Sequence, residues 1–233
     1  MMKASDLFKQ PKKSRKKLYT GLGLLITGFL SIVFIFVTIY GQYTGNYLIT
    51  LTKDAREKGI SISEDSEFNK DESILKIQPL TFTEDMIASF DYEAIESTNG
   101  QYFETDGSKQ HYIAYTFYIR NLGKEVVNLE YNIVVMDDYK NLASGTAVWV
   151  KRTSYKGDQQ IGEPFETIYS KAYTNKNEIA RVKLASFKPN DVYKFTMIIW
   201  LNGEGENITT SADMLGGALK LEWVFRITNG ENN

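Results

Sequence analysis

The stretch "HYIAYTFYIRNLGKEVVNLEYNIVVMDD", His111 to Asp138, decides the fold. In its first half Ile113, Tyr115, Phe117 and Ile119 recur at every second residue, with Thr116, Tyr118 and Arg120 between them. In its second half Val127, Leu129, Tyr131, Ile133 and Val135 alternate with Asn128, Glu130 and Asn132. A period of two is the signature of a strand with one face on a core. The intervening "NLGKE" supplies turn chemistry, so the stretch predicts a β-hairpin.

The same period recurs further along the chain. "DVYKFTMIIWL" places Tyr193, Phe195, Met197, Ile199 and Leu201 on one face, and "ALKLEWVFRI" does so with Leu219, Leu221, Trp223, Phe225 and Ile227. Shorter candidate strands are Tyr47–Thr52, Gly59–Ser63, Ile74–Gln78, Ala147–Thr153, Phe165–Ala172 and Ile179–Ala185. "TEDMIASFDYEAI", residues 83–95, reads as a short helix. "SYKGDQQIGEPFETIYSKAYTNKN", residues 154–177, breaks the alternation and reads as an excursion between strands. Many short strands without a long helix predict an all-β fold, a β-sandwich of jelly-roll or immunoglobulin-like type.

Composition agrees with a folded β protein. The 233 residues include 15 Tyr and 13 Phe but only 4 Pro, and such an aromatic load favours strands over disorder. Cysteine is absent, which removes disulfides and thiolate chemistry and, for a surface protein, fits a single-membrane bacterium. Charge is unevenly placed. Residues 1–40 hold seven Lys or Arg and one Asp, a balance of +6, and the other 193 residues hold 20 Lys or Arg and 28 Asp or Glu, a balance of −8.

Between these two regimes lies "LYTGLGLLITGFLSIVFIFVTIY", Leu18 to Tyr40, 23 residues without a charge. A helix of that length rises about 34 Å, enough for a hydrocarbon core of about 30 Å. "KQPKKSRKK" precedes it, and no charge follows until Lys53. The positive-inside rule then predicts a cytoplasmic tail (1–17), a transmembrane helix (18–40) and an extracellular domain (41–233) in the cell membrane. Tyr19, Tyr40, Tyr43 and Tyr47 are expected as interfacial aromatics. A cleaved signal peptide is the rival reading. Its apolar region is ordinarily about 7–15 residues, and "GQYTGNY" after Tyr40 offers no Ala-x-Ala site. Gly23, Thr27 and Ser31 form a row of small residues four apart, a candidate helix-packing seam.

Three stretches carry a family resemblance: "GNYLITLT" (Gly45 to Thr52), "YTFYIRNLGKEVVNLEYNIVV" (Tyr115 to Val135) and "GGALKLEWVFRI" (Gly216 to Ile227). In these the chain resembles camelysin and TasA-type surface proteins of low-GC Gram-positive bacteria, over residues 45–190 and 217–227 as a pattern. The resemblance implies a jelly-roll-like sandwich and a secreted or surface-bound product. It also implies either matrix assembly, as in some members, or metalloprotease activity, as described for camelysin. The chain departs from that pattern in its uncleaved apolar segment and in the 153–178 excursion.

Catalytic chemistry finds little support. A zinc site takes about three protein ligands, commonly His with carboxylates, and His111 is the single histidine, read as an ordinary residue at a strand edge. No Gly-x-Ser-x-Gly elbow and no glycine-rich phosphate loop is present. Asp137 and Asp138 read as turn residues before acid–base partners. Glu204, Glu206 and Asp213, in the glycine-rich link after Leu201, are calcium candidates whose spacing matches no known calcium loop. The acidic domain argues against nucleic acid. Tyr118 and Trp200, by strand parity, together with Trp149 and Tyr155, are expected to face outward as interaction candidates. The expectation is therefore a surface protein that binds lipid through 18–40 and other envelope proteins or itself. It has no cofactor, and a membrane-anchored hydrolase is the alternative.

Overall fold

The computed structural model describes Thr27, Ser31 and residues 47–70, 72–79, 90–105, 110–170, 177–201 and 217–228. The chain divides into two compact units, Met1–Tyr43 and Thr44–Asn233. The predicted span 18–40 lies outside the described residues except for Thr27 and Ser31. Both are helical and exposed, and the Ser31 hydroxyl donates to the Thr27 carbonyl at 2.9 Å. Among the described residues no helix is long and apolar enough to cross a membrane.

The second unit is built of strands. In chain order these are β1 (Tyr47–Leu51), β2 (Ile60–Ser63), β3 (Ile74–Ile77), β4 (Gly100–Tyr102), β5 (Tyr112–Asn121) and β6 (Val127–Tyr139), followed by β7 (Thr146–Lys156), β8 (Gln159–Ser170), β9 (Glu178–Phe187), β10 (Asp191–Leu201) and β11 (Ala218–Thr228). Two short helices intervene, α1 (Lys53–Glu57) and α2 (Tyr92–Ser97), with a 3-10 turn at Leu142–Gly145. One sheet runs β3-β1-β11-β6-β9 and the other β2-β5-β10-β7-β8, with β4 added on β5. Each of the ten expected strands is present, and three-residue β4 is the one the sequence pattern did not suggest.

The apolar faces of both sheets share one core. At its centre the Trp223 ring of β11 lies 5.3 Å from Phe117 of β5, 5.5 Å from Phe195 of β10 and 5.2 Å from Tyr131 of β6. Such offset and edge-on aromatic pairs add to the area they bury. Tyr47, expected at a membrane interface, is instead a core residue of β1, 2% exposed. The period of two explains this: Tyr47 shares its face with Ile49 and Leu51, and that face is the inner one.

Two expectations are corrected. First, His111–Asp138 is not a hairpin. β5 pairs with β2, β4 and β10, whereas β6 pairs with β9 and β11, so "NLGKE" carries the chain from one sheet to the other. Both strands still turn their apolar residues inward, which is why the alternation alone could not separate the two cases. Asn121 holds this corner. Buried in β5, it donates through Nδ2 to the carbonyls of Glu125 and Phe187, each at 2.9 Å, and accepts from the Gly123 amide at 2.9 Å. Gly123 packs so close to the preceding turn that a Cβ there would lie 2.1 Å from the Lys58 carbonyl oxygen. Gly59, at φ +85°, meets Gly123 from the other side.

Second, residues 154–177 do not form an irregular excursion as far as they are described. β7 runs on to Lys156, turns through Gly157 (φ +61°) and Asp158, and returns as β8. A two-residue turn opening with φ > 0 is the usual hairpin connection. The polar composition that hid the end of β7 and the first half of β8, ahead of the strand expected from Phe165, belongs to a sheet edge, where one side meets water. Of the short helix expected at 83–95, residues 83–89 lie outside the described residues and Tyr92–Ile95 belong to α2, which Asp91 caps by accepting from the Ala94 amide at 3.0 Å.

Candidate functional site

Parity assigns Tyr112, Ala114, Thr116 and Tyr118 of β5 to the face of their sheet away from the core. Cross-strand register extends that face in rows, such as Ile168–Trp149–Ile198–Ala114–Tyr102 and Glu166–Lys151–Thr196–Thr116–Gly100. The expected interaction residues Tyr118, Trp149 and Trp200 all lie on it, so the structure brings them together on one face. Their exposure is corrected: Tyr118 and Trp149 are 8% and 2% exposed, and Trp200 is half-buried.

The cover is the strap of residues 90–99. Phe90 packs on Tyr112 and Trp200 with ring centres 5.0 and 5.1 Å away, Tyr92 on Trp149 at 5.0 Å, and Ile95 is fully buried among them. Polar contacts fasten its far end. The Glu96 carboxylate accepts from Lys151 Nζ at 2.6 and 2.8 Å, and the Glu96 carbonyl accepts from Lys194 Nζ at 2.6 Å. Tyr118 donates its hydroxyl to Asn99 Oδ1 at 3.0 Å. Beneath the strap, Thr116 and Thr196 share a hydroxyl contact of 3.0 Å, and Trp149 Nε1 donates to Glu166 at 2.7 Å. Burial lowers the Lys194 pKa and neighbouring Lys151 adds to this, while Glu96 opposes both. Strand parity places a side chain above or below a sheet but carries no information about what lies over it, so this strap was missed. Past it, a cleft of about 340 Å³ opens over Tyr118, Tyr155, Val192 and Lys194, between Ser66–Glu67 and Gly157–Asp158.

The opposite outer face is polar and fastened by ion pairs. Register aligns Arg226–Glu130–Lys183 across β11, β6 and β9. The Glu130 side chain is 4% exposed, receives Arg226, and has Arg181 at 4.0 Å; Arg181 in turn pairs with Glu178 at 2.6 Å. A carboxylate so enclosed is tolerated because cations surround it.

The remaining candidates separate. Gly23, Glu204, Glu206 and Asp213 lie outside the described residues. Thr27 and Ser31 occupy one helical face one turn apart. His111 is half-buried just before β5. Asp137 and Asp138 close β6 rather than a catalytic cleft: Asp137 faces Lys220 at 3.9 Å, and Asp138 accepts from the Ala143 amide at 3.3 Å in the following turn. Among the described residues, no three His, Asp or Glu side chains gather as a metal site would require.

The fold and site therefore define an all-β protein of two sheets around a shared core, with one outer face strapped and the other laced with ion pairs. No family model matches the chain, and no curated protein matches it. Among solved structures it has a slight likeness to the family 3a carbohydrate-binding module from the cipA scaffolding of Clostridium thermocellum, at 10% identity and a TM-score of 0.23, over 48% of this chain and 80% of that one. A superposition so slight bears on neither fold nor ligand.

Proposed function

We propose that the chain is a single-pass membrane protein whose residues 41–233 stand outside the cell on an anchor at 18–40. In this reading it acts by binding proteins, as an accessory subunit of an envelope assembly or as a self-associating surface component. The balance of +6 over residues 1–40 against −8 beyond them supports the orientation. Of the two expected sandwich types, the jelly-roll-like one is favoured because successive strands keep changing sheet.

The observation that carries the interaction reading is β8. Among the described residues it ends its sheet with β7 as its strand neighbour, and Ile161, Phe165 and Ile168 on it are 47%, 38% and 55% exposed. An edge with free backbone groups and apolar side chains is a template for another strand. Pro164 lacks an amide hydrogen and Gly162 sits at φ +67°, so the regular part of the edge runs from Phe165 onward.

A photo-crosslinking residue at position 168, in the cell's own membranes, tests this against the same residue at exposed Glu57 on α1. A discrete adduct from 168 and none from 57 is expected, and its composition separates self-association from an accessory role. No adduct, or equal labelling from both positions, removes the reading.

A further inference from the structure

Arg152 stands where the core pattern calls for an apolar residue. On β7 it follows Val148 and Val150 on the inner face, and its cross-strand neighbours are Phe195 and Phe165. Its guanidinium carbon lies 5.4 Å from the centre of the Phe165 ring and 5.3 Å from that of Tyr193. Its Nε is buried without a hydrogen-bond partner. Among the described residues it has no carboxylate, in contrast to Arg181 and Arg226, which are each paired with glutamates. The residue is only half-buried, and of its three guanidinium nitrogens only Nε is among the buried unpartnered atoms. Beside it the hydroxyls of Tyr131 and Tyr169 are 3.2 Å apart. The positive charge of Arg152 reaches both, and that of Tyr193 as well, opposing the burial that raises all three.

We propose that this edge, at Arg152 between Phe165 and Tyr193 with the Tyr131 and Tyr169 hydroxyls beside it, is a binding site for a carboxylate. A spacer alone would be met by Leu or Met, without an unpartnered buried nitrogen to offset. A guanidinium is planar by delocalisation, and one flanked by two rings has its fork held in place, which matches a carboxylate in two parallel hydrogen bonds. One fixed positive charge suits one negative charge better than a dianionic phosphate, and whichever of the two phenol hydroxyls is not donating to the other supplies one further donor. The carboxylate belongs either to a free organic acid or to a Glu or Asp of an approaching protein. The site does not depend on the anchor or on strand pairing at β8.

Arginine-selective labelling with phenylglyoxal decides the matter, on the full chain in detergent micelles and read peptide by peptide by mass spectrometry. Sodium acetate is expected to slow labelling of Arg152 saturably, at an ionic strength where sodium chloride does not, while exposed Arg56 reacts equally in both. A second arm compares a short acetylated, amidated peptide bearing one Glu with its Gln counterpart. Tighter protection by the Glu peptide than by acetate assigns the source to a protein, and the reverse assigns it to a free acid. Arg152→Lys keeps the charge without the fork, and the acetate-induced rise of its melting midpoint should require about tenfold more acetate. An Arg152 that is unreactive without acetate, or protected equally by chloride, overturns the proposal.

Discussion

Two tryptophans test the parity argument side chain by side chain. Trp223 lies on the inner face of β11 and is 3% exposed, touching rings from three other strands. Trp200 lies on the outer face of β10 and, among the described aromatic rings, rests on Phe90 alone. Truncating a buried aromatic to Ala costs about 3–5 kcal/mol through lost transfer energy and the cavity left behind. Trp223→Ala should therefore lower the unfolding free energy from denaturant melts by that much, and Trp200→Ala by clearly less; an inverted order would mean the faces are wrongly assigned. Asp138 gives a second residue-scale test. Burial raises its pKa, and the Ala143 and Leu142 amides only partly restore it. A carboxyl whose folded pKa is raised binds more protons folded than unfolded, so its contribution to stability falls as pH rises through that window. Asp138→Asn should then gain stability relative to wild type from pH 4 to pH 7, as urea melts at the two pH values would show. A constant difference across that range would assign the shift elsewhere. Inner and outer faces were legible from the sequence because a strand alternates strictly; exposure was not, since Tyr118 and Trp149 are hidden by a segment remote in sequence.

At the scale of elements, the connection through Asn121 shows what alternation leaves open. A hairpin and an inter-sheet arch need the same inward apolar residues and the same short polar link. What separates them is a set of tertiary contacts: Asn121 with Phe187 of β9, Asn190 donating to the Asn121 carbonyl at 2.8 Å, and Gly59 against Gly123. No local pattern announces those partners, whereas the individual strands were announced by their own residues. Asn121→Ala removes three hydrogen bonds at a buried corner, at about 1 kcal/mol each plus the cost of stranded carbonyls, so a loss of about 3 kcal/mol or more is expected. Asn121→Asp should recover only the acceptor half, and a melting temperature equal to wild type in either variant would remove the corner's role. The strap is held differently. The Lys151–Glu96 pair is about a quarter exposed on each side, which limits its contribution to about 1 kcal/mol or less. Glu96→Gln should leave the global melt nearly unchanged. It should speed hydrogen exchange at Ile95 and Thr98 while β10 amides hold their protection, because local opening draws on local contacts. Equal acceleration in β10 would make the strap part of the global unit.

At the scale of the whole molecule, charge and hydropathy divide the chain where its compact units also divide, near residue 43. The described β unit needs no anchor to satisfy its own core: β1 opens it, with Tyr47, Ile49 and Leu51 buried between β3 and β11. The 23 uncharged residues from Leu18 to Tyr40 match the length of a membrane span. On the proposed reading, the flank of six basic residues in nine on one side, with no charge before Lys53 on the other, would set the orientation through the inner leaflet's preference for Lys and Arg. Protease added to intact protoplasts should therefore remove epitopes in the β unit and leave a membrane-bound fragment that carries the basic tail. Moving the charges tests the cause. Replacing Lys12, Lys13, Arg15, Lys16 and Lys17 with Gln, and adding Lys at Gln42 and Asn46, should raise the protease-protected fraction of the β unit. A β unit protected in the wild type, or a mature N-terminus beginning near residues 40–46, would show instead that the apolar stretch is a signal removed on export.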